Sequence, residues 1–226
     1  MQSYGATQSL DTFRRDMRNR RGMCLALGED DDRFDPIAEA AGRQLILIDG
    51  KRTELQRAED ILSDSRALEK ARRLMAKRVY DDIRRRLSVE ASDTYRLVLP
   101  VAPSRVGSAG IKRGITIIDR GVVALKLETT PEIIRTAHVP RLEQELARLR
   151  AADVAEDEVS ASLSALRLAV ALFKAELEKE RQLQWAELVK IVGKRDADAF
   201  FLSTSSDDDD EEQEQEQEES PVASGS

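Results

Sequence analysis

Between Lys51 and Ser88 the chain carries an apolar stripe of helical period with no Gly or Pro to interrupt it. Leu55, Ala58, Leu62, Ser65, Leu68, Met75, Val79, Ile83 and Leu87 share one face at 3.6-residue spacing. A face of that kind must be buried against another element. Thr53 and Gln56 stand in the S/T-x-x-Q order of a capping box, which predicts a helix start there. A helix of roughly 35 residues would be about 50 Å long at 1.5 Å per residue. That length suits an extended bundle or a helical hairpin better than a small round domain.

A second stripe lies near the other end, over a helix predicted from about Ala155 to Val192. Glu156, Asp157 and Glu158 fill its expected first turn, where carboxylates meet the positive end of the helix dipole. Val159, Leu163, Leu166, Val170, Phe173 and Leu177 then step by 4, 3, 4, 3 and 4, a heptad-like seam for packing on a partner helix. Ala161, Ser162, Ala165 and Ala169 flank it and would let a neighbour come close. The seam fades after Leu177, where Glu180 and Gln184 take the expected positions.

Shorter segments fit the same class. Ile37, Ala41, Leu45 and Ile48 recur at helical spacing, and Asp49-Gly50 reads as a stop, although Leu45–Ile48 alone would also suit a short strand. The main break spans 100–114, with Pro100, Pro103, Gly107, Gly110 and Gly114. After it, residues 115–127 allow two readings. Asp119-Arg120-Gly121 could turn a β-hairpin, yet Ile111, Ile115, Ile118, Val122 and Leu125 form a helical stripe. Gly121 would cost that helix about 1 kcal/mol relative to Ala, and helix is the preferred reading. Thr130-Pro131-Glu132 is a helix start with Thr as N-cap. Pro140 reads as a restart, followed by Leu142, Leu146 and Leu149.

With aromatics at only 4%, the core must be assembled from Leu, Ile, Val and Ala, which favours helix on helix. The expected fold is therefore all-α, an elongated helical bundle or helical hairpins over residues 34–202. Residues 1–33 read as a polar, partly disordered arm with room for a short helix, basic at Arg14, Arg15, Arg18, Arg20 and Arg21 and acidic at Glu29–Asp32. Residues 203–226 read as a disordered acidic tail.

That tail holds ten carboxylates between Asp207 and Glu219 and no Lys or Arg; without them the formal charge of −7 becomes +3. Three roles suit such a segment. It can solvate the chain end, fold back as a mask on a basic surface, or attract a basic partner.

Carboxylates are plentiful enough for a Mg²⁺ or acid–base site, but no motif gives one with specificity. His138 and Cys24 are the only residues of their types, so a His- or Cys-based metal set cannot be assembled, and Cys24 has no histidine near it in sequence. Asp119, Lys126 and Glu128 occur in the wrong order for a nuclease-like acid–acid–lysine set. Glu29–Asp32 lacks the glycine and twelve-residue spacing of an EF-hand. Gly107–Gly114 fails the Walker spacing, and it matches the GxxG loop of KH domains in letters only. No catalytic, cofactor-binding or metal residue is expected, and no cofactor.

The candidate binding residues are basic. Nine Lys and Arg against three acids lie between Arg66 and Arg86. Arg72, Arg73, Lys77, Arg84, Arg85 and Arg86 could track phosphates on a solvent-facing row, although only Tyr80 is near to stack on a base. No apolar run approaches the roughly 20 residues of a membrane span, and the first 21 residues lack the apolar core of a signal peptide. The expectation is a cytoplasmic, non-enzymatic helical protein that presents its surfaces to itself or to protein partners. The alternative is a polyanion-binding protein moderated by its tail.

Overall fold

The computed structural model describes residues 8–92 and 95–202. The predicted acidic tail, 203–226, lies outside the described residues. Every regular element among those described is helical. In chain order these are α1 (Leu10–Gly28), a 3₁₀ turn (Asp32–Phe34), α2 (Asp35–Glu90), α3 (Tyr95–Val98), α4 (Pro103–Ser108), α5 (Ile111–Leu125), α6 (Glu132–Val192), α7 (Lys194–Ala197) and a second 3₁₀ turn (Asp198–Phe200). No helix among the described residues is long and apolar enough to cross a membrane.

The contacts divide the chain into two compact units. One comprises the described parts of Met1–Arg52 and Ala169–Ser226, the other Thr53–Leu168. The long helices α2 and α6 contribute to both.

The Thr53–Leu168 unit is built on the predicted stripes. Val79, Ile83 and Leu87 of α2 pack with Ile118, Val122 and Leu125 of α5 and with Ile134, Leu142, Leu146 and Leu149 of α6. Leu62 is also buried, whereas Leu68 and Met75 of the same stripe stay exposed. The hairpin alternative for 115–127 is not formed; the segment is helix as far as Leu125. Its glycine has a positive reason to be there. A Cβ on Gly121 would lie 3.1 Å from Leu99 Cδ2 and 3.4 Å from Tyr80 Cε2. The missing side chain lets α5 settle against its neighbours, and that packing outweighs the propensity cost.

Several local stop signals are overridden. Pro140 does not restart a helix but lies inside α6. An interior proline costs about 3 kcal/mol, and the run of buried residues from Ile134 to Leu149 outweighs it. Thr130 does not act as the N-cap predicted for it; its hydroxyl donates to the Ala124 carbonyl. Thr53 and Gln56 are interior to α2, and Gln56 donates to Asp60. Glu156 and Asp157, expected in a first turn, are mid-helix and pair with Arg66 and Lys112.

In the other unit, Asp49-Gly50 does not stop α2. Asp49 is instead an ion-pair partner, accepting from Arg14 of α1 at 2.6 Å, while Arg52 reaches Asp11 at 2.8 Å. These contacts and buried Ile48 carry the helix through the glycine. The segment expected as a partly disordered arm contains α1, a 19-residue helix capped by the Ser9 hydroxyl on the Thr12 N–H. Leu10, Phe13, Met17, Arg20 and Cys24 are its buried stripe, at steps of 3, 4, 3 and 4. Phe34, Ile37 and Ala38 pack with Cys24, Leu188, Ala197, Phe200 and Phe201 to complete this core, in which the Phe34 and Phe200 rings stack 6.1 Å apart.

Candidate interaction surface

Several members of the basic row predicted on α2 make contacts within the fold. Arg73, Lys77 and Arg84, expected to face solvent, are only partly exposed. Arg73 pairs with Glu69 at 3.0 Å and donates to the Ala109 carbonyl at 2.8 Å. The stem of Lys77 occupies the space that Gly107 leaves open, 2.9 Å from where a Cβ would stand. Arg84 lies over the Tyr95 ring, 5.7 Å from its centroid. Arg72 is partly buried, and the two exposed members each meet an acid of the same helix, Arg85 with Asp81 and Arg86 with Asp82.

The seam on α6 alternates in depth. Leu163, Val170 and Leu177 are buried, whereas Val159, Leu166 and Phe173 are partly exposed. Beyond Leu177 it does not end. Arg181, Gln184 and Leu188 follow at steps of 4, 3 and 4, all buried. The apparent fading marks a change from apolar to polar packing.

These side chains belong to a cluster that joins α1, α2 and α6 within the unit formed by the described parts of Met1–Arg52 and Ala169–Ser226. Asp16, Arg20 and Arg181 have no exposed surface. The guanidinium of Arg20 donates to Asp16 and to the Gln184 side-chain carbonyl. Arg181 Nε donates to Asp16 Oδ2 at 3.2 Å, and the Leu202 N–H to Asp16 Oδ1 at 3.0 Å. Gln184 Nε2 donates to Gln44 Oε1 at 3.4 Å. The Phe201 ring receives both arginines on its face, with their Cζ atoms 4.1 and 5.1 Å from its centroid. Glu178 approaches Arg181 at 3.9 Å, so two carboxylates answer two guanidinium groups. Buried charges of this kind persist only with partners in good geometry. Phe201 contributes a cation–π contact from which water is excluded.

Gln44 connects the cluster to the surface. It forms the floor of a groove of about 550 Å³ between α2 and α6, lined also by Leu47, Phe173 and Leu177. On the other side of the same turn of α2, Ile46 and Leu25 line a groove of about 620 Å³ against α1. Between the grooves stands an apolar ridge, with Ile46 75% exposed and Leu47 56% exposed. The rim of the α2–α6 groove carries Arg43 and Lys179 against Glu176 and Glu180. Leu172 and Leu183, also exposed, share a helical face with Glu176 and Lys179.

Neither the cluster nor the ridge was among the predicted site residues, yet both left a trace. Four consecutive apolar residues, Leu45–Ile48, cannot all face inward from one helix, so part of the run must be exposed. An Arg at a seam position, as at 20 and 181, signals a buried pair once the helix phase is known.

The chain matches no family model, no curated protein and no solved structure. Its function is therefore argued from this geometry.

Proposed function

We propose that this is a cytoplasmic, non-enzymatic helical protein that self-associates through the α1–α2–α6 face of the unit that contains the Asp16–Arg20–Arg181 cluster. The observation that carries the reading is the Ile46–Leu47 ridge between two grooves. Isolated exposed apolar residues are ordinary, but an apolar ridge flanked by grooves and charged rims is the form of a protein-binding surface. A two-fold contact requires a patch complementary to itself. This patch supplies a ridge and a groove to receive one, and its rim has two cations and two carboxylates. The balanced charge favours a second copy over a strongly charged partner.

The intramolecular contacts of Arg73 and Arg84 favour this reading over polyanion binding along 66–86. Sedimentation equilibrium tests it. The wild-type chain should form a dimer or larger species at micromolar concentration, and I46E/L47E should be monomeric with unchanged helix content. A wild-type chain that stays monomeric would remove the proposal.

A further inference from the structure

We propose that the first two turns of α6, Glu132–Val139, form an acid-opened flap, which comes off α2 about Pro140 when His138 takes up a proton. The flap belongs to the Thr53–Leu168 unit, so the inference stands independently of association through the Ile46–Leu47 ridge. Three observations support it.

The first is the setting of His138. The residue is 4% exposed, and its Nδ1 is buried without a hydrogen-bond partner among the described residues. Charged groups act on it from α2, through Arg86, Asp82 and Glu90, and from its own helix, through Arg141. Asp82 is already engaged, by Arg141 at 2.8 Å and by Arg86 at 3.9 Å. A proton on the ring would add a cation to a buried place that two guanidinium groups already influence. Burial penalises such a charge. Moving the ring into water relieves that penalty.

The second is a break in the helical bonding two residues further on. Pro140 lies inside α6 and has no N–H, so the Thr136 carbonyl lacks its usual helical donor. The flap is joined to the rest of α6 by fewer bonds than a continuous helix supplies. Interior prolines are also where helices bend.

The third is how the flap is held. Among the described residues, the ion pairs that tie α6 to its neighbours in this unit begin after the proline. They are Arg141 with Asp82, Glu143 with Lys126 and Arg150 with Asp119, followed by those further along the helix. Before the proline, Ile134 and Val139 anchor the segment in the core that holds Leu87 and Leu125. An opening confined to Glu132–Val139 leaves the later ion pairs intact and costs less than unfolding the unit. It uncovers Ile134, Val139 and the core residues beneath them. Histidine is the side chain suited to trigger such a change between pH 5 and 8.

Amide hydrogen exchange read by NMR tests this in the full-length chain, with rates corrected for the intrinsic effect of pH. At pH 7 the amides of Ile134–Val139 should be less protected than those of Leu142–Leu149. Their protection should fall as pH drops below 6.5; one proton taken up on opening limits the fall to about tenfold per pH unit. The fall should be absent in H138F and in H138Q, either of which serves if the other does not fold. P140A, which restores the missing N–H, should raise protection of the flap at pH 7. Equal protection of the two stretches in wild type would show that no segment opens alone, and would overturn the proposal. A fall that persisted without His138 would do the same by assigning the response to another group, such as buried Glu145. No gain in P140A would contradict the hinge.

Discussion

The carboxylate of Asp16 accepts the backbone N–H of Leu202 at 3.0 Å, joining the first helix to the last described residue. The same carboxylate receives Arg20 and Arg181, so one buried acid organises α1, α6 and the segment that follows α7. Its removal should therefore be felt along the whole path. Asp16→Ala leaves two guanidinium groups in the core without it, and breaking such a pair costs about 3–5 kcal/mol. Urea unfolding should show that loss, and the Leu202 amide should exchange faster. By contrast, Glu59→Ala, which removes the exposed partner of Arg167, should cost no more than about 1 kcal/mol.

Cys24 reports on the same core. Burial pushes its thiol up to about 11, against a smaller opposing effect of Arg20. At pH 8 the native thiol should be almost wholly protonated and hidden, and a maleimide should label it only as fast as this unit opens. Asp16→Ala should accelerate labelling strongly. Equal rates in the two proteins would show that the cluster does not hold Cys24 in place. In alkali the raised value works against the fold. Above the ordinary value of 9.0 the unfolded chain loses its proton first, and this contribution to stability declines until the folded thiol also ionises.

His138 makes the other unit acid-sensitive. Burial, reinforced by Arg86, holds its imidazole below the usual 6.5, while Asp82 opposes the shift. As pH falls through 6.5, the unfolded chain takes up its proton before the folded one does. Stability contributed by the neutral ring is complete above that value and declines below it, until the folded imidazole also protonates. Denaturation of wild type and His138→Gln between pH 7 and 5 checks this. The difference between them should change in that window, and a constant difference would contradict it.

Gly121 tests how closely α5 packs. Gly121→Ala gains helix propensity but brings its Cβ within 3.1 Å of Leu99, so the two effects should nearly cancel. Gly121→Leu should destabilise by about 1–3 kcal/mol through overpacking. Thermal unfolding of the pair separates the effects, and a stabilised Gly121→Leu would show the gap to be wider than described.

These residues also show what was readable in the sequence. The helical class and most core positions of α5 and α6 follow from 3.6-residue spacing, because burial on one helix face repeats at that period. Helix ends were poorly legible: Gly50 and Pro140 are local signals, and packing from residues distant in sequence overrides them. α1 was obscured because Arg20 occupies a core position, and an arginine looks solvated until Asp16 and Phe201 are brought to it by the fold. In the 37–48 segment the predicted stripe included Leu45, yet Gln44 is the more buried of the two. The polar partner that made Gln44 an inward residue, Gln184, lies 140 positions away. The exposure of Ile46 and Leu47 follows from the same rotation of the helix.

That ridge carries the account, and its protection on association is the direct measurement. Hydroxyl-radical footprinting across a dilution series should show oxidation of Ile46, Leu47 and Phe173 falling as concentration rises. Leu68 and Val89, exposed elsewhere on α2, should stay equally reactive throughout. Unchanged oxidation of Ile46 and Leu47 at concentrations where the chain is associated would contradict the proposed interface.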